Sequence, residues 1–351
     1  MGAVEKSLRR WPSLQRLEHL RPAWLRWLLI ALLAAGALVA LLVAFFGIEW
    51  GAWAIVAAPN HGRRLPDLPA RPPDDPLLRR HGVTLELRVR VGPPDATLCA
   101  WVVDPPPREQ VAEQAQAAPR ASSAWPRGTI LLLHGVRDRK ESMLQTAHAY
   151  ASRGYRCIVV DARGNGESSG AFLTYGIREG EDCRQLIDEV QRRGLLAGRL
   201  ATYGCSYGAA CAIQHAARDP RVAAVIAVMP FSSLAAVIPN YAQLYVPFAR
   251  WLGADWVRAT IRRAGELAGF DPAAADTIAA IRRTRAQVLL VHGRDDVHIP
   301  WQHSAALHEA APDHSRLLIL DGWNHHDLAH DREGRIWTAV GDWLQRWVAV
   351  R

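Results

Sequence analysis

The sequence predicts an α/β fold, a mainly parallel sheet with helices on both faces, preceded by one transmembrane helix. Three observations carry that expectation. From Gly82 onward short apolar runs alternate with longer amphipathic ones, most of the short runs end at Gly or Asp, and one long uncharged stretch stands near the amino terminus. Alternating strands and helices imply a parallel sheet buried on both faces, and ligands of such sheets bind at the carboxyl ends of the strands.

In chain order, Trp27 to Ile48 form 22 residues without a charge, framed by Arg26 and Glu49. A helix of that length crosses a hydrocarbon core of about 30 Å. A cleaved signal peptide would have a shorter apolar run behind a shorter leader. Trp24, Trp27, Trp50 and Trp53 sit where interfacial aromatic belts belong. Lys6, Arg9, Arg10, Arg16, Arg21 and Arg26 precede the span and only Arg63 and Arg64 follow it closely, so a cytoplasmic leader (1–26) and an extracytoplasmic catalytic domain are expected. Residues 49–81, with Pro59, Pro66, Pro69, Pro72, Pro73 and Pro76, read as a Pro/Arg-rich tether. The remaining domain, 82–351, opens with an antiparallel pair at 83–91 and 98–103. Further strands are expected at 129–133, 156–160, 200–203, 222–228, 287–291 and 316–320, with helices near 141–153, 179–193, 207–218, 301–311 and 333–349. The Pro- and Ala-rich stretch 105–127 reads as an exposed insertion.

Composition narrows the function classes. At 50% hydrophobic and 22% charged over 351 residues, the chain is globular rather than disordered, fibrous or a multi-span transporter. The net charge of +8 includes only two lysines, Lys6 and Lys140, and no basic stripe interleaves with aromatics, so no nucleic-acid partner is expected. Five cysteines cannot all pair, and a chain this long does not need disulfides; thiols, or at most one incidental bridge, are expected.

The chemistry concentrates in three turns. Gly204-Cys205-Ser206-Tyr207-Gly208 lies between an apolar strand and an Ala-rich helix, where a sharp turn exposes Ser206 and leaves no room for side chains at the flanking glycines. An incidental serine at a glycine-bounded junction would look similar. After the strand at 287–291 comes His292-Gly293-Arg294-Asp295-Asp296-Val297-His298-Ile299-Pro300, and after the strand at 316–320 comes Asp321-Gly322-Trp323-Asn324-His325-His326-Asp327. The order of serine, acid and histidine over residues 82 to 349 resembles the α/β-hydrolase superfamily, in particular its membrane-anchored serine hydrolases and its lipase, thioesterase, serine aminopeptidase and dienelactone-hydrolase-like groups. The resemblance implies a triad of Ser206, Asp296 and His325, with Asp295 and His326 as the neighbours that could replace the latter two. It also implies an oxyanion hole from the backbone of Tyr207 and of Val136, which follows His134-Gly135. Asp161-Ala162-Arg163-Gly164-Asn165-Gly166-Glu167-Ser168 is similar to a structural loop of that family, with Asn165 where a histidine is usual. His134 reads as a loop residue and Cys205 as a small buried one.

The expected function is therefore a membrane-anchored serine hydrolase that cleaves a carboxylic ester or thioester through an acyl-enzyme, with no cofactor and no metal. A metal set of His325, His326, Asp327 and His330 is the weaker reading, because adjacent histidines seldom share one ion. Peptidase action on the same triad and a catalytically inactive tethered binding module are the alternatives. A helical cap at 232–285, bearing Tyr241, Tyr245, Phe248, Trp251 and Trp256, would give a small acyl substrate an apolar wall. Oligomeric state is left open.

Overall fold

The computed structural model describes residues 23–63, 69–110, 125–246, 253–331 and 334–349. Most of the expected basic leader, the centre of the 105–127 insertion, and Phe248 and Trp251 lie outside these residues. Contacts divide the chain into a unit of residues 1–49 and a unit of residues 50–351.

In the first unit the described residues are helical. They open α1 (Ala23–Val56), a helix of 34 residues along which Trp24, Trp27, Leu33 and Leu41 are exposed. Among the described residues no helix is long and apolar enough to cross a membrane. Side chains at 40, 43 and 44 lie outside the description and interrupt the expected stretch, so the span at Trp27–Ile48 stays an expectation.

The second unit begins at residue 50, and here the tether expected at 49–81 is corrected. Ala52 and Val56 are fully buried and pack with Ala264 and Ala268, and Ala57 forms a β-bridge with Phe172. The Asn60 amide donates to the carbonyls of Gly166 and Ser168, and Arg71 pairs with Glu86 and Glu167. Leu78, in the short helix α2 (Pro76–Arg80), is fully buried. Prolines made the stretch look unpacked, but single apolar and polar anchors between them fasten it to the domain.

The sheet contains β1 (Leu85–Val91), β2 (Ala96–Val103), β3 (Thr129–Leu133), β4 (Arg156–Val160), β5 (Leu200–Cys205), β6 (Val222–Val228), β7 (Gln287–Gly293) and β8 (Ser315–Leu320) in the spatial order 1-2-4-3-5-6-7-8. β2 runs antiparallel to both β1 and β4, and the neighbours from β4 to β8 are parallel. Because strand side chains alternate, Leu131 and Leu133 enter one core while Ile130 and Leu132 enter the other. The first core is closed by α4 (Ile177–Arg192) and α5 (Tyr207–Ala216). The second is closed by α3 (Leu144–Ala151) and the carboxyl-terminal helix Arg335–Trp347. After β6 the chain forms α6 (Leu234–Tyr245), α7 (Ala254–Ala268) and α8 (Thr277–Arg283). The last of these returns to the core through the buried Thr277, Ala280 and Ile281, so the part free to act as a cap is shorter than 232–285.

Candidate active site

β5 turns into α5 at Ser206, whose φ of 55° and ψ of −117° place a non-glycine residue in a sparsely populated region of backbone space. The surroundings hold it there. The Ser206 amide donates to the Val228 carbonyl at 2.7 Å. A Cβ at Gly204 would lie 2.1 Å from the Gly208 carbonyl oxygen, and one at Gly208 would lie 2.5 Å from the carbonyl oxygens of Leu133 and His134. Both glycines are therefore set by close backbone approach, as the sequence pattern requires. Tyr207 opens α5, where a backbone N–H has no partner within the helix.

The acid turn follows β7. The Asp296 carboxylate is buried; its Oδ1 accepts from the amides of His298 and Ile299 at 2.9 Å, and its Oδ2 accepts from His325 Nδ1 at 2.6 Å. Burial opposes ionisation of this group, yet the His292 and His325 rings and the Ile299 amide together hold its carboxyl well below the usual range. The turn is braced from behind by the buried His292, whose Nε2 donates to the Ile299 carbonyl at 2.7 Å while Nδ1 accepts from Ser304 Oγ at 2.6 Å. At Gly293 a Cβ would meet the Trp323 carbonyl oxygen at 2.2 Å, which ties the acid turn to the histidine turn. His325 opens the short helix His325–His330, capped by Asn324, and its side chain is 18% exposed. Asp295 and His326 are exposed and make no contact equivalent to the Asp296–His325 pair.

The structure thus joins Asp296 to His325. It does not hydrogen-bond Ser206 to His325. The Tyr241 phenol of α6 stands beside the Ser206 hydroxyl, and its pKa is pushed up to about 12, chiefly by burial. Tyr241 stacks on Tyr245 at 6.0 Å, and Tyr245 in turn lies 6.1 Å from the His298 ring. Val136 stands in the loop after β3 with its side chain 37% exposed. That loop is fixed by His134, which accepts from the Ala162 amide at Nε2 and donates to the Gly135 carbonyl at Nδ1. With both ring nitrogens engaged and burial lowering its pKa, His134 is structural, as expected. Burial likewise pushes the Cys205 thiol up to about 12, and all five cysteines are free. Asp161 accepts from the Lys140 amide, the Lys140 ammonium and the Glu167 amide and so organises its loop; Asn165 donates to the Arg163 carbonyl.

Two features were not read from the sequence. One is His298, whose ring lies 5.1 Å from His325 and 5.9 Å from His326; the residue was visible within the acid turn, but which way it faced was not. The other is the Tyr241 phenol at Ser206, for which aromatic spacing along the cap gave no direction.

Residues 108–271 match the family model of the X-Pro dipeptidyl-peptidase (S15 family). An uncharacterized protein of Bacillus subtilis, YqkD, is 23% identical over 199 residues, which cover 56% of this chain and 64% of that protein, so the match spans a little under two thirds of the relative's length. Among solved structures, an esterase of Pyrococcus furiosus superposes with a TM-score of 0.58 at 18% identity, covering 82% of this chain and all of that one. An acylaminoacyl peptidase of Pyrococcus horikoshii superposes with a TM-score of 0.53 at 16% identity, covering 78% of this chain and 43% of that one. The strand order, the strained serine between two obligatory glycines and these likenesses give the chain the α/β-hydrolase fold.

Proposed function

We propose that the chain is a serine hydrolase that transfers an acyl group from an ester or thioester to Ser206 and then to water. The observation that carries this reading is a strained, glycine-flanked Ser206 after β5 together with a buried Asp296–His325 hydrogen bond after β7 and β8, all at the carboxyl ends of parallel strands of one sheet. In the proposed reaction His325 Nε2 takes the Ser206 proton, Oγ attacks the acyl carbon, and the amides of Tyr207 and Val136 receive the developing oxyanion. Asp296, already ionised, orients the imidazole and offsets its positive charge. Apo hydrolases commonly form the serine–histidine bond only with substrate, so its absence here is compatible with the reading.

An apolar acyl group is supported by exposed apolar side chains in the oxyanion loop, the acid turn and α6. Val136, Leu244, Tyr245 and Val297 are large, apolar and 37–63% exposed, and come from three different turns or helices. The S15 match and the acylaminoacyl peptidase likeness favour a second reading, cleavage of a peptide bond by the same residues. The exposed apolar surface of α1 supports a further proposal, that this helix holds the enzyme at a membrane with the catalytic unit on the extracytoplasmic side. A fluorophosphonate probe tests the core of the proposal: the wild type should label and Ser206→Ala should not. Labelling that survives Ser206→Ala refutes it. Competition by acyl esters, thioesters and aminoacyl amides then separates the two bond classes, and carbonate extraction of membranes tests the anchor.

A further inference from the structure

The geometry points to an inhibitory zinc site built from Asp296, His298 and His325, at which a divalent ion would switch the proposed hydrolase off. This inference rests on the reading of His325 as the catalytic base. Ligand atoms of Asp296, His298 and His325 all lie within 4.8 Å of one another. Zinc binds imidazole nitrogen and carboxylate oxygen at about 2.0–2.2 Å in tetrahedral sites, so neighbouring donors stand roughly 3.3–3.6 Å apart, and modest side-chain rotation would close the set. The His298 Nδ1 is buried and has no hydrogen-bond partner, an unsatisfied nitrogen lying among the other donors. The rings of His298 and His325 lie 5.1 Å apart, and a water can supply the fourth ligand. The site lies near the surface, since His298 and His325 are both partly exposed, and the side-chain rotation that closes the set also brings the buried His298 nitrogen to the ion.

The donor set selects the ion. Two imidazoles with one carboxylate suit zinc, copper or nickel, whereas magnesium and calcium prefer all-oxygen shells. The chemistry of inhibition is direct. An ion on His325 either takes the Nε2 lone pair, which is then lost to proton transfer, or displaces the Nδ1 proton to solvent and uses the Asp296 oxygen that accepted it. In both cases Ser206 loses its base, and a chelator restores it. Adjacent histidines seldom share an ion, which argues against a set drawn from residues 325–330; here one imidazole comes from that helix and the other from the acid turn, which supplies the spacing that neighbours in one helix lack.

The test titrates zinc chloride, with magnesium as control, into the full chain. It reads bound zinc after dialysis, affinity by calorimetry, and hydrolysis relative to each variant's own metal-free rate. One equivalent of zinc should bind both the wild type and Ser206→Ala, activity of the wild type should fall at least tenfold at saturation and return with EDTA, and magnesium should do neither. His298→Ala should weaken binding and inhibition at least tenfold while retaining the wild-type circular dichroism and melting behaviour; His298→Gln serves if alanine does not fold. Unchanged zinc affinity in a folded His298 variant, or binding without inhibition of an active enzyme, overturns the inference. Zinc binding by a chain that fails to label at Ser206 would instead overturn the hydrolase reading and leave the site standing.

Discussion

Two buried clusters of charge lie at the carboxyl ends of the strands, and they are built on opposite principles. In one, Arg71, Arg88 and Lys140 face Glu86, Asp161 and Glu167, linked by ion pairs and further satisfied by Trp101 Nε1 and backbone amides. Glu86 and Glu167 are held below the usual carboxylate range despite burial, which is the larger opposing influence on both. In the other, Asp296 is satisfied, but His325 keeps one nitrogen outward, His298 has a buried nitrogen with no partner, and Ser206 is held in strain. The closed cluster pairs its carboxylates with cations and fastens the chain from Arg71 to the domain. The open one leaves its groups unsatisfied where a substrate can reach them.

This contrast predicts that damage to the open cluster costs activity and damage to the closed one costs stability. The largest expected effect is on turnover: His325→Ala should lower kcat by about 10⁴-fold or more, close to Ser206→Ala, with unfolding curves unchanged. Asp296→Asn should be somewhat milder, since the acid orients the base rather than carrying the proton. If His326→Ala is the inactive variant and His325→Ala the active one, the assignment through this turn is wrong.

Next in size is Lys140→Met, which leaves Asp161 and one oxygen of Glu167 without their buried cation. Unpairing a buried charge costs about 3–5 kcal/mol, to be read as a lower urea midpoint, with kcat per folded molecule retained. A parallel loss of kcat at full occupancy of the folded state would show that the two clusters are coupled.

Truncation sharpens the same boundary. Removing residues 1–49 should leave the melting temperature of the second unit nearly unchanged, whereas removing 1–60 also takes the buried Ala52 and Val56 and both Asn60 hydrogen bonds, for a loss of about 3 kcal/mol or more. Tyr241→Phe, which removes only the phenol beside Ser206, should change kcat/KM by less than about tenfold.

The smallest expected effect is an absence of one. Because the folded Asp296 pKa is depressed, its contribution is fully present above the unfolded value of about 3.9 and is lost only as pH falls through the lower folded value. The acid limb of kcat/KM should therefore contain no separate carboxylate step between about pH 4 and 6.

Much of this was legible before any coordinates. Gly204 and Gly208, Asp296 and His325 could be placed because each lies in a turn whose local sequence is dictated by close backbone approach or by strand ends, and such constraints are short-range. The strands at 129–133, 156–160 and 222–228 were bounded correctly because continuous apolar runs between polar turns leave little freedom. The antiparallel contact of β2 with β4 was not legible, since strand neighbours are set by long-range packing. Nor was the docking of residues 52–81: a proline-rich stretch has no periodicity, and its hold on the domain depends on Asn60, Arg71 and Leu78 reaching partners as many as 108 residues away.

That docking also has a mechanical consequence. A pull on the chain upstream of residue 50 would travel through Val56 and Ala58, whose backbones are bonded to Leu173 and Ala171, and then through Asn60 into the carbonyls of Gly166 and Ser168. The load also enters through the Ala54 and Ala57 carbonyls, which accept from Arg137 in the loop after β3, and through the Ile55 carbonyl, which accepts from Tyr175, so it divides between that loop and the one that Asp161 organises after β4. Tension on the amino terminus would thus be felt beside Val136, while the turns that hold Asp296 and His325, to which none of these bonds runs, would stay slack.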